Sequence, residues 1–291
     1  MKIACIGEAM IELSMAGENP HLGVAGDTLN TAIYLKRQAP DLAVSYITRL
    51  GTDPFSQRIE TFIASHNIGT SQIEHDGQKS PGLYAITTAD DGERSFTYWR
   101  SQAAARDMFQ GADGLDFSAL NGFDAIYLSG ITLAIIPDTV RAGLLEFARS
   151  SGTTLAFDSN YRAKLWENQK TAQSWTERYW QAADILLPSV DDEMELFDED
   201  AATVKERFTG YRGTGALKQS DIGPSPINGT ATVGDYAKAP KVVDTTAAGD
   251  SFSGAFLGSY FQNSDLGQAM QAGHNMARYV VQHRGAIAPA T

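Results

Sequence analysis

The chain is poor in cysteine, in basic charge and in long apolar runs. Its one cysteine, Cys5, lies in the apolar opening "KIACIG". A single thiol excludes a disulfide framework and a cysteine metal cluster, so a reducing cytoplasm is the expected compartment. Lys and Arg number 23 against 35 Asp and Glu, a formal charge of -12. Surfaces for nucleic acid or anionic membrane need basic patches, so neither is an expected partner. The longest apolar stretch, Ala125 to Ile136, is too short to cross a bilayer, and Gly7 and Glu8 interrupt the N-terminus too early for a signal peptide. His21, His66, His75, His274 and His283 lack metal-ligand spacing. No GxGxxG follows the first apolar run, which argues against a dinucleotide oxidoreductase.

What the chain does have is enough length and apolar content for a large core. With 291 residues, 43% hydrophobic and 20% charged, it fits one large α/β domain or two small ones. β-Branched runs alternate with amphipathic stretches. Residues 2–7, 43–51, 123–130, 153–158 and 183–189 read as strands, and helical patterns begin at Asp27 and Asp53 and cover 137–150, 171–182 and 190–198. Asp27 is expected to cap its helix. Pro54 suits a first helical position, with Phe55, Ile59, Phe62 and Ile63 on one face. Such alternation predicts a mainly parallel sheet covered on both sides, with ligands beyond the carboxyl ends of its strands. Residues 82–99 break the pattern: two strand-like runs joined by "ADDGE" predict a hairpin outside the main sheet. Together with "MIELSM" at 10–15 it reads as a small lid, formed by about 10–24 and 72–100 within one domain spanning 1–291. Pro224 and Pro226 confine any strand in 219–240 to an edge. "VDDEMELFDED" reads as a solvated acidic face.

The segment Asp244 to Phe256, "DTTAAGDSFSGAF", is the most informative. Small residues allow a sharp turn and close approach to backbone N–H groups, and a helix N-terminus offers unpaired donors to an anion. Asp250 alone would be explained as a helix cap. A cap gives no reason for the crowd of small and polar residues before it.

This segment resembles the C-terminal signature of the ribokinase-like (PfkB) family of carbohydrate kinases, and "VAGDTLNTAIYL" at 24–35 resembles the family's sugar-facing segment. The likeness runs from the first strand to "HRGAIAP" at 283–289. "GEAMIELS", "LGTDPFSQ", "PGLYAITT", "GERSFTYWR", "LSGITLAI" and "FDSNYRAKLW" follow in the order of the branch that acts on 2-keto-3-deoxygluconate. The resemblance implies a three-layer α/β/α fold with a mainly parallel central sheet and a small β-sheet lid. It implies transfer of the ATP γ-phosphoryl group to the terminal hydroxyl of that sugar acid, with magnesium and a monovalent cation such as potassium as cofactors. A homodimer paired through the lid is also implied. A fructokinase-like or ribokinase-like activity, or a non-catalytic sugar-acid binder, is the alternative.

The resemblance also assigns residues. Asp250 is the base, and the N–H groups of Ala247, Ala248 and Gly249 form an anion hole for the transferring phosphoryl. Ala247 stands where many relatives have Gly, at little cost if its φ is negative. Gly26, Asp27 and Asn30 meet the sugar, with Ala25 replacing the first of the usual Gly pair. Arg100 and Arg162 bind the substrate carboxylate through paired donors, although an exposed Arg needs no such role. Tyr84 and Tyr98 line the pocket or are simply sheet aromatics. On the nucleotide side stand Lys218, Ser220 (where the family has Gly), Gly223, and Asn275, which equally fits a helix surface. Ser189 and Asp192 replace the family's "NxxE" element, leaving Asp192 to meet magnesium through water. Asp244 and Thr246 offer oxygens to the monovalent cation, and a structural turn accounts for them nearly as well.

Overall fold

The computed structural model describes residues 1–16, 19–88, 94–229, 231 and 234–290. In chain order the elements are β1 (Lys2–Ile6), β2 (Met10–Ala16), β3 (Asn19–Ala25), α1 (Asp27–Gln38), β4 (Ala43–Ile47), β5 (Arg49–Gly51), α2 (Pro54–Ser65) and β6 (Glu74–Asp76). Next come β7 (Leu83–Thr88), β8 (Arg94–Trp99), the short pair β9 (Gln110–Gly111) and β10 (Gly114–Leu115), β11 (Ala125–Ser129), α3 (Gly130–Ile135) and α4 (Asp138–Ser150). The C-terminal half adds β12 (Thr154–Asp158), α5 (Gln169–Ala182), β13 (Ile185–Leu187), α6 (Val190–Phe197), α7 (Ala201–Phe208), β14 (Thr214–Leu217), β15 (Ser225–Ile227), α8 (Ala248–Asn263) and α9 (Leu266–Val280).

Seven strands form the central sheet in the order β15-β14-β13-β12-β11-β1-β4. All neighbours are parallel except β14 and β15. Both faces of its middle strands are apolar, as a parallel sheet covered on two sides requires. In β1, Ala4 and Ile6 face one core with Leu133, Leu144, Tyr179 and Trp180, whereas Ile3 and Cys5 face a second core with Ile33, Phe256 and Met270. Helices α3 to α7 therefore cover one side, and α1, α2, α8 and α9 the other, giving three layers. A smaller sheet, β3-β2-β7-β8, stands outside this body.

The expected elements are present, with informative differences. Residues 43–51 are two strands, because after Ile47 the chain leaves the central sheet and β5 pairs with β6. For the same reason residues 74–76 lie outside the small sheet, whose strands begin again at Leu83. In α2, Asp53 caps the helix by accepting from the Phe55 and Ser56 N–H groups, and Ile59 and Ile63 are buried, but Phe55 is 46% exposed. Pro226 sits in β15, an edge strand where its missing N–H breaks no ladder. The "ADDGE" turn at 89–93 lies outside the described residues. Asp27 is not the cap of α1: Gly26 holds that position and Asp27 is the first helical residue, its carboxylate drawn across to Ser129 and Asn160. The acidic stretch is not wholly solvated either. Glu193 is fully buried, accepting from Arg207 Nη2 at 2.9 Å and Trp180 Nε1 at 3.2 Å, and burial pushes its carboxyl up to about 7.

Candidate active site

The polar residues left over by the two cores gather at the carboxyl ends of β11, β12 and β14 and the N-termini of α1 and α8. Two helices must come close for this to happen. A Cβ on Gly254 of α8 would lie 2.5 Å from the Thr31 carbonyl of α1, so only glycine permits the contact. The result brings residues 220 positions apart together: Asn30 Nδ2 donates to Asp250 Oδ2 at 2.9 Å, and Thr31 Oγ1 donates to the Asp250 carbonyl at 3.2 Å.

Three carboxylates share this floor. Asp27 Oδ2 accepts from Ser129 Oγ and from Asn160 Nδ2 at 3.0 Å. Asp158 Oδ2 accepts from Lys218 Nζ at 2.6 Å, Ser253 Oγ at 2.7 Å and Tyr127 OH at 3.4 Å. Asp250 has one side-chain donor, Asn30. Burial, followed by the neighbouring charge of Asp27, drives the Asp250 carboxyl up to about 8 against the opposing pull of Asn30 and Lys218. Burial also raises Asp27, while its hydrogen bonds hold it down. The arrangement provides a carboxyl group able to exchange a proton near neutral pH, beside an ammonium group and the start of a helix.

The turn before α8 differs from expectation in one respect. Ala247 has φ 60°, in the left-handed region, rather than a negative value. Its Cβ costs about 1–2 kcal/mol there, which a glycine would not incur. The reason is local: the chain reverses hand at Ala247 so that α8 can start at Ala248, and the Ala248 N–H is directed to the Thr245 carbonyl at 3.2 Å. A Cβ placed on Gly249 would meet only Lys218 Nζ, at 3.7 Å, so the ammonium stands over this turn.

Of the expected substrate residues, Tyr84 and Tyr98 lie on the small sheet, Arg100 directly follows it and Gly26 joins it to α1, whereas Arg162 follows β12 of the central sheet. Gly26 is fixed by close approach, since a Cβ there would strike the Glu8 carbonyl oxygen. Tyr84 and Tyr98 are cross-strand partners with ring centroids 5.6 Å apart, the first buried and the second 52% exposed. The Tyr84 phenol donates to Glu12 Oε2. Arg100, nearly buried, donates from Nη2 to Glu8 Oε2, and its guanidinium lies 5.9 Å from the Tyr98 ring. Arg162 is more open, with a 53% exposed side chain, and its Nη1 lies 3.3 Å from Asp192 Oδ1. Glu8, Asp158, Ser129 and Asn160 were not singled out from the sequence. Asp158 and Asn160 fall in "FDSNYR", where a carboxylate closing an apolar strand was the available signal.

On the other flank, Lys218 is tied by its backbone to the start of α6: its N–H donates to the Pro188 carbonyl, and its carbonyl accepts from Val190. The Ser189 N–H donates to Ser159 Oγ at 2.9 Å, and Ser159 Oγ stands 3.5 Å from Asp192 Oδ2. Burial raises the Asp192 carboxyl, while Arg162 and Lys218 pull it down. Ser220 has φ 47°, and its Oγ donates to Asp191 Oδ2 at 3.0 Å. Gly223, at φ 93°, lies against the Tyr236 ring, which packs 5.0 Å from His274 on α9. Neighbouring Asn275 is exposed and accepts from Gln271 Nε2. Asp244 accepts from the Thr246 N–H and hydroxyl and, through its other oxygen, from the Gly285 N–H at 2.9 Å. That pattern is a turn anchoring the C-terminal segment. Among the described residues no three His, Cys, Asp or Glu side chains are grouped to hold a metal, and no helix is long and apolar enough to cross a membrane.

These features were compared with known proteins. The chain is 42% identical over 302 residues to the 2-dehydro-3-deoxygluconokinase of Dickeya dadantii, covering 99% of this chain and 96% of that protein. It is 40% identical over 307 residues to the protein of the same name from Haemophilus influenzae, covering 98% and 95%. A crystal structure of a PfkB protein from Polaromonas sp. superposes with a TM-score of 0.81 at 24% identity, over 97% of this chain and 95% of that one, which shows the shared fold. The model of the pfkB carbohydrate kinases matches residues 1–291 without remainder, and the chain belongs to that family.

Proposed function

We propose that the protein transfers the γ-phosphoryl group of ATP to the terminal (6-) hydroxyl of 2-keto-3-deoxygluconate, giving 2-keto-3-deoxy-6-phosphogluconate. The observation that carries this reading is Asp250: a carboxylate in the first turn of α8, held by Asn30 and raised toward neutral, beside Lys218 and Asp27, whose own carboxylate feels the charge of Arg100. The relatives named 2-dehydro-3-deoxygluconokinase, a synonym for a kinase of this keto acid, support the substrate.

The chain's own residues supply positioning, charge and a base. Asn30 orients Asp250, and ionised Asp250 takes the proton of the sugar hydroxyl as that oxygen bonds to the γ-phosphorus. The bond to the β,γ-bridging oxygen breaks, and ADP leaves with that electron pair. Lys218 and the N–H groups at Ala247 and Gly249 face the charge on the transferring group, and the Ala248 N–H joins them by leaving the Thr245 carbonyl. Asp27 meets a sugar hydroxyl. Arg100 and Arg162 take the substrate carboxylate, with Tyr84 and Tyr98 closing the lid over it. The Lys218, Ser220 and Gly223 segment and Asn275 border the nucleotide.

Asp192 fits magnesium held mainly by water and phosphate, because its carboxylate is partly buried and no protein-only cage surrounds it among the described residues. Bound there, the ion would neutralise phosphate charge. A potassium-like ion at Asp244 and Thr246 would have to displace the present turn bonds, so the geometry favours the turn. We place the reaction in the cytoplasm. A homodimer through the small sheet has its support in Trp99, 59% exposed on the face of β8 opposite Tyr98.

The test is ADP release with ATP and magnesium against 2-keto-3-deoxygluconate, fructose, ribose and adenosine. Turnover confined to the keto acid is expected. Preference for fructose would move the assignment to a neutral-sugar kinase, and thermal stabilisation by the keto acid without turnover would favour a binding protein.

A further inference from the structure

Glu8 is a carboxylate where the sequence otherwise runs apolar, between "KIACIG" and "AMI". It is 2% exposed. A buried carboxylate without a role is costly, and this one is only half satisfied. Its Oε2 accepts from Arg100 Nη2, whereas its Oε1, and Nε of Arg100, have no hydrogen-bond partner among the described residues. The pair is thus joined at one point rather than as a closed fork.

The surroundings are shaped to this pair. A Cβ on Gly82 would lie 2.5 Å from Glu8 Oε1 and 3.1 Å from Arg100 Cβ, so residue 82 must be glycine for the two side chains to fit. A Cβ on Gly26 would strike the Glu8 carbonyl oxygen. One residue therefore sets the spacing of two segments that would meet the sugar: its carbonyl underlies Gly26, and its side chain holds the arginine that follows β8. Four residues on, Glu12 Oε2 accepts a hydrogen bond from the phenol of Tyr84, the strand partner of Tyr98. Both glutamates of "GEAMIELS" thus hold a group on the face the sugar acid would meet.

We propose that Glu8 is a positioning residue for acid recognition: it fixes the Arg100 guanidinium at the base of the small sheet and cancels its charge until a carboxylate arrives. The inference rests on the sugar-acid reading above. Without Glu8, Arg100 is a buried cation with no carboxylate in contact, only the Tyr98 ring at 5.9 Å, and it turns toward solvent or toward Asp27. The incoming carboxylate then meets an arginine that must first be reoriented. Binding of the acid weakens, and binding of a neutral sugar, which has no use for Arg100, does not.

The test combines three variants, Glu8→Ala, Glu8→Gln and Arg100→Ala, with calorimetric affinities for 2-keto-3-deoxygluconate and fructose and with denaturant unfolding. Glu8→Ala is expected to weaken the acid by at least roughly tenfold relative to fructose. Glu8→Gln, which keeps an oxygen to accept from Nη2, should recover most of that loss. In unfolding, the costs of Glu8→Ala and Arg100→Ala should be strongly non-additive in the double variant. An unchanged ratio of acid to neutral affinity in Glu8→Ala would overturn the proposal, leaving Glu8 a structural residue only. Additive costs would refute the pair itself, even if the wild type ignored acid sugars. A wild type that binds only neutral sugars would refute the substrate assignment separately.

Discussion

Replacing Asp250 with asparagine should abolish turnover and yet stabilise the fold. The carboxyl rises from 3.8 to about 8 in the folded chain, mainly through burial and the charge of Asp27. Each step of one in pKa corresponds to 1.36 kcal/mol, so ionised Asp250 costs the folded state at most roughly 5–6 kcal/mol. The group is only half-buried and shares charge with Asp27, and solvent screens much of this. A gain of about 1–2 kcal/mol for Asp250→Asn is expected, or roughly 2–3 °C in Tm for a chain of this length. The amide keeps an oxygen to accept from Asn30. The pH dependence has a definite sign. Between the unfolded and folded pKa values the folded chain binds the extra proton, so wild-type stability falls as pH rises from about 5 toward 8. The asparagine variant lacks this contribution and should show a flatter profile, with the gap widening as pH rises. Scanning calorimetry at pH 6, 7, 8 and 9, paired with ADP-release kinetics, measures both halves. The expected kinetic loss is at least roughly 10²-fold in kcat. A variant less stable than wild type at pH 8, or one that keeps near-normal turnover, would refute the reasoning about this carboxylate.

Other perturbations test the surrounding geometry. Ala247→Gly relieves a left-handed alanine and should stabilise by up to about 1 kcal/mol in denaturant titration, because the glycine's gain at φ 60° exceeds its entropic cost. Gly26→Ala forces a methyl against the Glu8 carbonyl; a loss of about 1–3 kcal/mol in stability and a raised KM for the sugar acid are expected, with the KM for ATP little altered. Lys218→Ala leaves Asp158 with hydroxyl donors only, which should cost about 3–5 kcal/mol in unfolding free energy and raise the KM for ATP. Arg162→Ala, at an exposed ion pair, should leave Tm within about 1 °C while raising the KM for the keto acid, a combination that separates binding from stability.

The legible parts of this protein were those written in local pattern. The apolar strands, the helix at Pro54 and the hairpin flanks of the small sheet follow from period and turn chemistry, and the small residues before Asp250 mark the helix start that faces the site. What escaped depends on contacts between distant residues. Glu193 looks solvated in "VDDEMELFDED", and only Trp180 and Arg207, on the neighbouring helices α5 and α7, explain its burial. Asp27 has the sequence of a cap, but Ser129 and Asn160 offer donors that reach it from 102 and 133 positions away. The positive φ of Ala247 had one sign, the Gly that many relatives carry at that place in the turn, and alanine itself gives none. Strand β15 is three residues long and contains proline, so propensity argues against it and only the edge position admits it. Glu8 and Asp158 were visible as carboxylates beside apolar strands; their partners, Arg100 and Lys218, were needed to give them roles.

The most direct test of the central claim is the identity of the product. Incubation with ATP, magnesium and 2-keto-3-deoxygluconate, followed by proton-coupled phosphorus NMR, should reveal a phosphomonoester split by the two protons of the terminal carbon. A phosphate on another carbon, or a new ester formed only from a neutral sugar, would contradict the account.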